Sequence, residues 1–184
     1  ASLLPWIDKV PAVLETWYPG QEDGLIVSRL VLGAADPSGK LPVTFPRTAS
    51  DLPASTPEQF PGVMKDNMRR VKYSEGLKIG YRWYEAKGIK PLFPFGYGLS
   101  YTNFALSEIA VTPHDVDRSG PVLVNFTLQN TGKVAGAQVV QVYLDFPKKA
   151  GEPPRRLAGF KKVWLKPGEK QRGTIRIDPS ASSH

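Results

Sequence analysis

Residues 80–102 read GYRWYEAKGIKPLFPFGYGLSYT, and no generic core is written this way. Seven aromatic rings (Tyr81, Trp83, Tyr84, Phe93, Phe95, Tyr97 and Tyr101) are broken up by Gly88, Pro91, Pro94, Gly96 and Gly98. Proline removes a backbone donor and glycine weakens any regular element, so a long helix is forbidden and a regular central strand is disfavoured. The rings must be fixed by tertiary packing, as in a connector glued across a surface or wedged between domains.

Downstream of this stretch the pattern changes to short strands separated by turns. Val122, Val124, Phe126 and Leu128 alternate with Leu123, Asn125 and Thr127, a period of two that predicts a half-buried strand. Asn130-Thr131-Gly132-Lys133 turns the chain, after which Val140, Val142, Leu144 and Phe146 share one face. Phe160–Leu165 and Thr174–Ile177 read as further strands, joined through a Pro167-Gly168-Glu169 turn. About five strands in this grammar predict a β-sandwich of immunoglobulin or fibronectin type, a fold that uses about seven strands in ~100 residues. The expectation is an incomplete sandwich, its domain running past the end of the chain and leaving an open hydrophobic edge.

Upstream, the chain reads like the end of a layered α/β unit. Val13–Tyr18 is a short apolar run suited to a strand, stopped by Pro19-Gly20. Gln21–Leu32 carries apolar residues at Leu25, Ile26, Leu30 and Leu32, with Glu22 and Asp23 in the first turn and Arg29 late. That charge order suits a helix dipole, and Gly33 stands at the left-handed C-terminal cap. Asp36-Pro37-Ser38-Gly39 is a turn, followed by a short edge strand over Lys40–Phe45 in which Pro42 cannot donate to a ladder. Thr48–Asn67, dotted with Pro53, Pro57 and Pro61, reads as ordered loop or linker. Tyr73–Glu85 fits a helix and an extended segment equally well. Residues 1–46 alone cannot bury the apolar faces of Val13–Trp17 and Leu25–Leu32, so a longer natural protein or a companion chain is expected.

Bulk composition narrows the chemistry. With 41% hydrophobic residues the chain can build a globular core, and 18 prolines and 17 glycines favour strands and loops over a helical bundle. No window approaches the ~18 uninterrupted apolar residues of a membrane helix, and Ala1–Gly20 lacks the features of a signal peptide. There is no cysteine, which excludes disulfides, thiolate catalysis and zinc–thiolate sites. His114 and His184 are the only histidines, so a Ser–His pair or a multi-histidine metal site needs another chain. Net charge is +7, of which residues 104–184 hold +5, including Lys148-Lys149, Arg155-Arg156 and Lys161-Lys162. No docking motif accompanies these cations, so they read as solvated strand surface and not as a nucleic-acid footprint.

Five stretches taken together carry a family resemblance. They are Trp17-Tyr18-Pro19-Gly20-Gln21-Glu22; Pro37-Ser38-Gly39-Lys40-Leu41-Pro42-Val43-Thr44-Phe45-Pro46; Tyr73–Tyr84; Phe93–Thr102; and Asn130-Thr131-Gly132 followed by Val139–Tyr143. In this order the chain resembles the C-terminal part of family 3 glycoside hydrolases, the β-glucosidase type with a fibronectin type III-like domain. The resemblance implies a mixed fold: residues 1–46 the C-terminal end of an α/β sandwich domain, 47–103 a Pro/Gly/aromatic-rich connector, and 104–184 the truncated fibronectin-like sandwich. It implies a parent enzyme that hydrolyses terminal non-reducing β-D-glucosyl residues with retention, using two carboxyl groups about 5–5.5 Å apart. In the family those groups lie on the (β/α)8 barrel and on an upstream part of the sandwich domain. No catalytic, cofactor-binding or metal residue is therefore carried onto this chain, and its partners are those two domains and, through them, a β-glucoside. Export is compatible with the resemblance, although no residue here demonstrates it.

Local substitutes for those carboxylates are weak. Glu75 is the best placed to face a sugar, but pairing with Lys72 or Arg82, or with backbone N–H groups, explains it more simply. Glu22 suits a helix N-terminus for dipole reasons alone, and Glu85 and Asp66 have no local context. Tyr81, Trp83, Tyr84 and Tyr97 could stack on sugars, yet packing of a fixed connector is the simpler account. Two other functions remain open to the sequence: a non-catalytic carbohydrate-binding or adhesion module, and a β-xylosidase-type member of the same family.

Overall fold

The computed structural model describes residues 3–113 and 120–178. His114 and His184 lie outside the described residues. The chain forms two compact units. One comprises 1–10, 41–97 and 145–156, the other 11–40, 98–144 and 157–184.

The second unit contains a pair of sheets. β3 (Phe104–Thr112), β4 (Val122–Asn130) and β7 (Lys170–Ile177) form one antiparallel sheet with β4 in the middle. β5 (Gly136–Asp145) and β6 (Arg155–Leu165) pair as the other. Val124, Phe126 and Leu128 on β4, Val140 on β5, Val163 and Leu165 on β6, and Ile175 and Ile177 on β7 bury together as the core. These are the alternate positions that a period of two places on one face of each strand. Each such side chain contributes roughly 1.5–3 kcal/mol on burial.

β3 is irregular. Ser107 pairs with Thr127 but Ala110 pairs with Asn125, so two residues of β3 oppose one of β4. Glu108 takes φ +51 at this bulge, a left-handed conformation that costs a non-glycine residue of order 1–3 kcal/mol.

The same unit carries α1 (Asp23–Val31), entered through a 3-10 turn at Gly20–Glu22. Gly33 closes it as anticipated, with φ +73 and its N–H donating to Leu30 O at 3.0 Å. The strand expected at Val13–Tyr18 does not form. The segment has no ladder partner among the described residues, and Trp17 sits at φ +53 with its N–H bonded to Glu15 Oε1 at 2.9 Å.

In the first unit, the edge strand expected over Lys40–Phe45 shrinks to a single bridge between Phe45 and Phe93. Pro42 interrupts it, as proline must. The flanking backbone still pairs with the aromatic stretch: Leu41 N donates to Tyr97 O and Gly96 N to Leu41 O, both at 2.8 Å, and Phe45 N to Phe93 O at 2.8 Å. The 48–67 region is more structured than a plain linker. Thr48 and Asp51 form a capping box over the 3-10 turn Ala49–Asp51. β1 (Val63–Lys65) and β2 (Met68–Arg70) make a hairpin that the sequence reading missed. Its two turn residues, Asp66 and Asn67, both have positive φ (+53 and +58), the signature of a type I′ turn. Of the ambiguous Tyr73–Glu85 segment only the end is helical, as part of α2 (Tyr81–Lys87), bounded by Gly80 at φ +54 and Gly88 at φ +65; residues 73–80 are turns and irregular chain.

Candidate functional site

The aromatic stretch folds onto itself. Tyr81 stacks on Phe95 with centroids 4.8 Å apart, Phe93 stacks on Tyr97 at 5.3 Å, and Phe45 meets Phe93 edge-on at 6.4 Å. Trp83 donates its indole N–H to Asp51 O at 3.0 Å, and Lys87 lies 5.1 Å over its ring. Tyr84 is buried, and burial pushes its hydroxyl above the ordinary range, with Asp51 adding to the effect. Of the four rings considered for sugar stacking, Tyr84 is inaccessible and Tyr81, Trp83 and Tyr97 are occupied by protein partners. The rings are thus engaged with one another and with neighbouring protein groups.

The carboxylates distribute as follows. Glu75 accepts a hydrogen bond from Gln59 Nε2 at 3.3 Å; the expected base, Lys72 or Arg82, is not within 4 Å among the described ion pairs. Gln59 also donates to Ser74 Oγ at 3.1 Å, so the amide holds both side chains from across the loop. Glu22 precedes α1 without a side-chain cap. Asp66 pairs with Arg70 at 3.4 Å within the hairpin. None of these shares an ion pair with a second acid among the described residues.

Glu85 is the exception, and the sequence offered no context for it. Arg155 lies between two carboxylates: its Nε donates to Asp145 Oδ1 at 2.7 Å and its Nη1 approaches Glu85 Oε1 at 3.8 Å. Burial lifts the Glu85 carboxyl above its usual range, Arg155 opposes that and Asp145 adds to it. The hydrogen bond from Arg155 holds Asp145 below its usual range. Two carboxyls pushed in opposite directions resemble an acid and a nucleophile. Here, however, the guanidinium contacts both carboxylates, which makes the group an ion-pair triad.

The triad makes a pH prediction with a worked sign. A carboxyl whose folded-state affinity for protons is raised favours the folded state while protonated. That contribution is lost as pH climbs from the unfolded to the raised folded value. Glu85→Gln is therefore expected to leave stability at neutral pH unchanged or higher by less than about 1 kcal/mol, and to flatten its decline as pH rises past the carboxyl's unfolded-state value. Thermal melts of both proteins from pH 4 to 8 check this. A clear loss of stability at neutral pH would mean that attraction to Arg155 outweighs the burial cost.

In the second unit Asp36 organises the end of the stretch. Its Oδ1 accepts from Ser100 Oγ at 2.8 Å and from Tyr101 N at 2.7 Å, while Tyr101 Oη donates to Leu30 O at 3.0 Å. Lys40 Nζ donates to Gly98 O, and burial lowers the Lys40 ammonium's affinity for its proton against the opposing pull of Asp36. Asp36 thus serves the backbone of residues 98–102. Among the described residues, no group of three or more His, Cys, Asp or Glu is gathered as a metal site.

Comparison with known proteins identifies the family. Residues 1–101 match the model of the glycosyl hydrolase family 3 C-terminal domain, and residues 138–184 match a fibronectin type III-like domain. A thermostable beta-glucosidase B from Acetivibrio thermocellus is 44% identical over 182 residues, covering 98% of this chain and 23% of the relative. Beta-glucosidase B from Emericella nidulans is 44% identical over 195 residues, covering 100% of this chain and 22% of that protein. Among solved structures, DesR, a beta-glucosidase from Streptomyces venezuelae in complex with D-glucose, aligns with a TM-score of 0.86 at 40% identity, over 96% of this chain and 22% of its own. Beta-glucosidase 3B from Thermotoga neapolitana aligns at 0.84 and 41%, over 95% and 24%. The chain spans less than a quarter of the length of each of these relatives. With its first 101 residues matched to one model and a fibronectin-like segment following, the chain belongs to the glycosyl hydrolase family 3 C-terminal domain family.

Proposed function

We propose that this chain is the C-terminal portion of a retaining, exo-acting β-glucosidase, and that it braces domains which carry the bond-breaking carboxylates. The observation that carries this reading is the coverage: relatives named β-glucosidases match the chain from end to end, yet it accounts for only 22–23% of their length. The proposed division is an α/β-domain end over 1–46, a connector over 47–103 and a fibronectin-like domain over 104–184.

Two features of the chain support a bracing role. Among the described residues, the carboxylates that meet at a shared centre, Glu85 and Asp145, are joined by Arg155, whereas a retaining pair must leave room for a nucleophile to reach the anomeric carbon. In addition, α1 buries none of its residues, and Leu25, Val31 and Leu32 are 55%, 67% and 82% exposed. Large apolar side chains exposed to that degree suit contact with further protein.

In the proposed parent, one carboxylate attacks the anomeric carbon while the other protonates the leaving oxygen. The second then takes a proton from the water that releases the sugar. This chain contributes stiffness: the aromatic stretch pairs with residues 41–45, and Asp36 and Asn130 anchor its downstream end. The 184-residue chain alone is expected to show no turnover of p-nitrophenyl β-D-glucoside above background at any pH between 4 and 8. Turnover that survives repurification and follows the chain on a sizing column would overturn the reading.

A further inference from the structure

A cleft of about 360 Å³ opens on the three-stranded sheet beside the β3 bulge. That volume lies at the lower end of small-ligand sites, which run from roughly 300 to 1,000 Å³. Two cross-strand pairs frame it, Asn125 opposite Thr174 and Thr127 opposite Arg172. The bulge supplies the fifth polar group. Bulges re-aim side chains, and Glu108, at φ +51, brings its carboxylate to Thr127, whose Oγ1 donates to Glu108 Oε2 at 2.6 Å. Thr127 is only 7% exposed, so the carboxylate is anchored on a buried residue.

Arg172 brings its Nε to 3.7 Å from the same carboxylate oxygen. A closed charge-assisted hydrogen bond spans about 2.7–2.9 Å, so this pair is loose and both charges keep unused capacity. Among the described residues, Glu108 Oε1 and the Nη groups of Arg172 have no hydrogen-bond partner. Thr174 Oγ1 donates to Asn125 Oδ1 at 2.8 Å, which leaves the Asn125 amide N–H groups and the hydroxyl's own lone pairs unengaged. We propose that this cleft binds the head group of a free α-amino acid. The carboxylate of the ligand meets the guanidinium of Arg172 and the amide of Asn125, and its ammonium meets Glu108 and the hydroxyl oxygen of Thr174. A guanidinium presents parallel N–H groups that match a carboxylate, and an ammonium needs the acceptors that the other groups provide.

Simpler ligands fit less well. A lone anion attracted to Arg172 is repelled by Glu108 at the far side of the same contact, and a lone cation attracted to Glu108 is repelled by Arg172. A neutral polyol can hydrogen-bond here but neutralises neither charge. A molecule with both signs on neighbouring atoms satisfies the two together.

The test is titration of the isotope-labelled 184-residue chain with glycine at neutral pH and low salt, followed by amide chemical shifts. Sodium acetate, methylammonium chloride and D-glucose are titrated in parallel. Glycine is expected to shift the amides of Glu108, Asn125, Thr127, Arg172 and Thr174 along a saturating curve. Acetate and methylammonium, each lacking one charge, should bind about tenfold or more weakly, as should glycine to Arg172→Gln and to Glu108→Gln. Both replaced side chains are exposed, at 88% and 62%, and the amide oxygen of Glu108→Gln still accepts from Thr127. Unchanged shifts elsewhere in each variant show that its fold is intact, and Arg172→Lys, which keeps the charge, should recover part of the affinity. The proposal is overturned by the absence of saturable shifts with glycine, by acetate, methylammonium or glucose binding as tightly as glycine, or by undiminished glycine binding in both glutamine variants.

Discussion

Replacing Asn130 by alanine is expected to destabilise the protein by roughly 3–5 kcal/mol. Asn130 is 0% exposed and makes four hydrogen bonds. Its Oδ1 accepts from Thr102 Oγ1 at 2.7 Å and Gly132 N at 3.0 Å, and its Nδ2 donates to Val134 O at 2.8 Å and Leu165 O at 3.2 Å. Truncation leaves the buried Thr102 Oγ1 and Leu165 O without replacements, and an unsatisfied buried group costs about 1–3 kcal/mol. Asn130→Asp is the informative companion. It keeps both acceptor contacts but turns the donor side into an oxygen facing two carbonyl oxygens, so it should be at least as damaging at neutral pH as the alanine variant. Urea unfolding followed by circular dichroism reads both changes as a lowered midpoint at constant slope. An aspartate variant close to wild type would mean that the donor bonds contribute little.

The second large effect is expected where β4 and β7 face each other in the core. Phe126 pairs with Gly173, and a Cβ built on Gly173 would fall inside contact distance of the Phe126 ring edge. The glycine is there to make room for a ring: both residues are buried and the ring covers the backbone. Phe126→Ala should cost about 3–5 kcal/mol through lost burial and the cavity left behind. Gly173→Ala should cost about 1–3 kcal/mol through overpacking. The double variant should cost less than the sum, because removing the ring removes the clash, giving an interaction energy of order 1 kcal/mol or more. Equilibrium unfolding of the four proteins checks this, and strict additivity would mean that the ring moves aside freely.

The sandwich was legible in the sequence wherever its strands keep a strict period. Val122–Leu128 and Val140–Leu144 alternate without interruption, and the structure puts their alternate apolar residues in one core. β3 was not delimited in advance, for a physical reason. Its apolar residues Phe104, Leu106, Ile109 and Val111 change parity at Glu108, and the bulge absorbs that change. The β1–β2 hairpin escaped notice because its turn is Asp66-Asn67, without the glycine that usually announces a type I′ turn. Val13–Tyr18 erred in the other direction: its composition suits a strand, but a strand needs a neighbour.

The candidate carboxylates divide the same way. Glu22 sits at the start of α1 as its position suggested. Glu85 acquires its surroundings from Arg155 and Asp145, which lie far along the chain, so no local pattern could reveal the triad. Glu75 is held by an amide, Gln59, although nearby lysine and arginine made an ion pair the natural expectation. The aromatic stretch was readable because its proline and glycine content left packing as the only way to order so many rings.

The bulge at Glu108 divides β3 into two short ladders, 104–107 against 127–130 and 110–112 against 123–125. The first is tied at its root, where Thr131 N–H donates to Asn103 O at 2.8 Å and Thr102 meets Asn130. The second is followed directly by Pro113, whose nitrogen has no hydrogen to extend the ladder. Thermal fluctuation will therefore peel the strand from its distal half, with Glu108 as the natural stopping point and the Asn130 knot as the last part to let go.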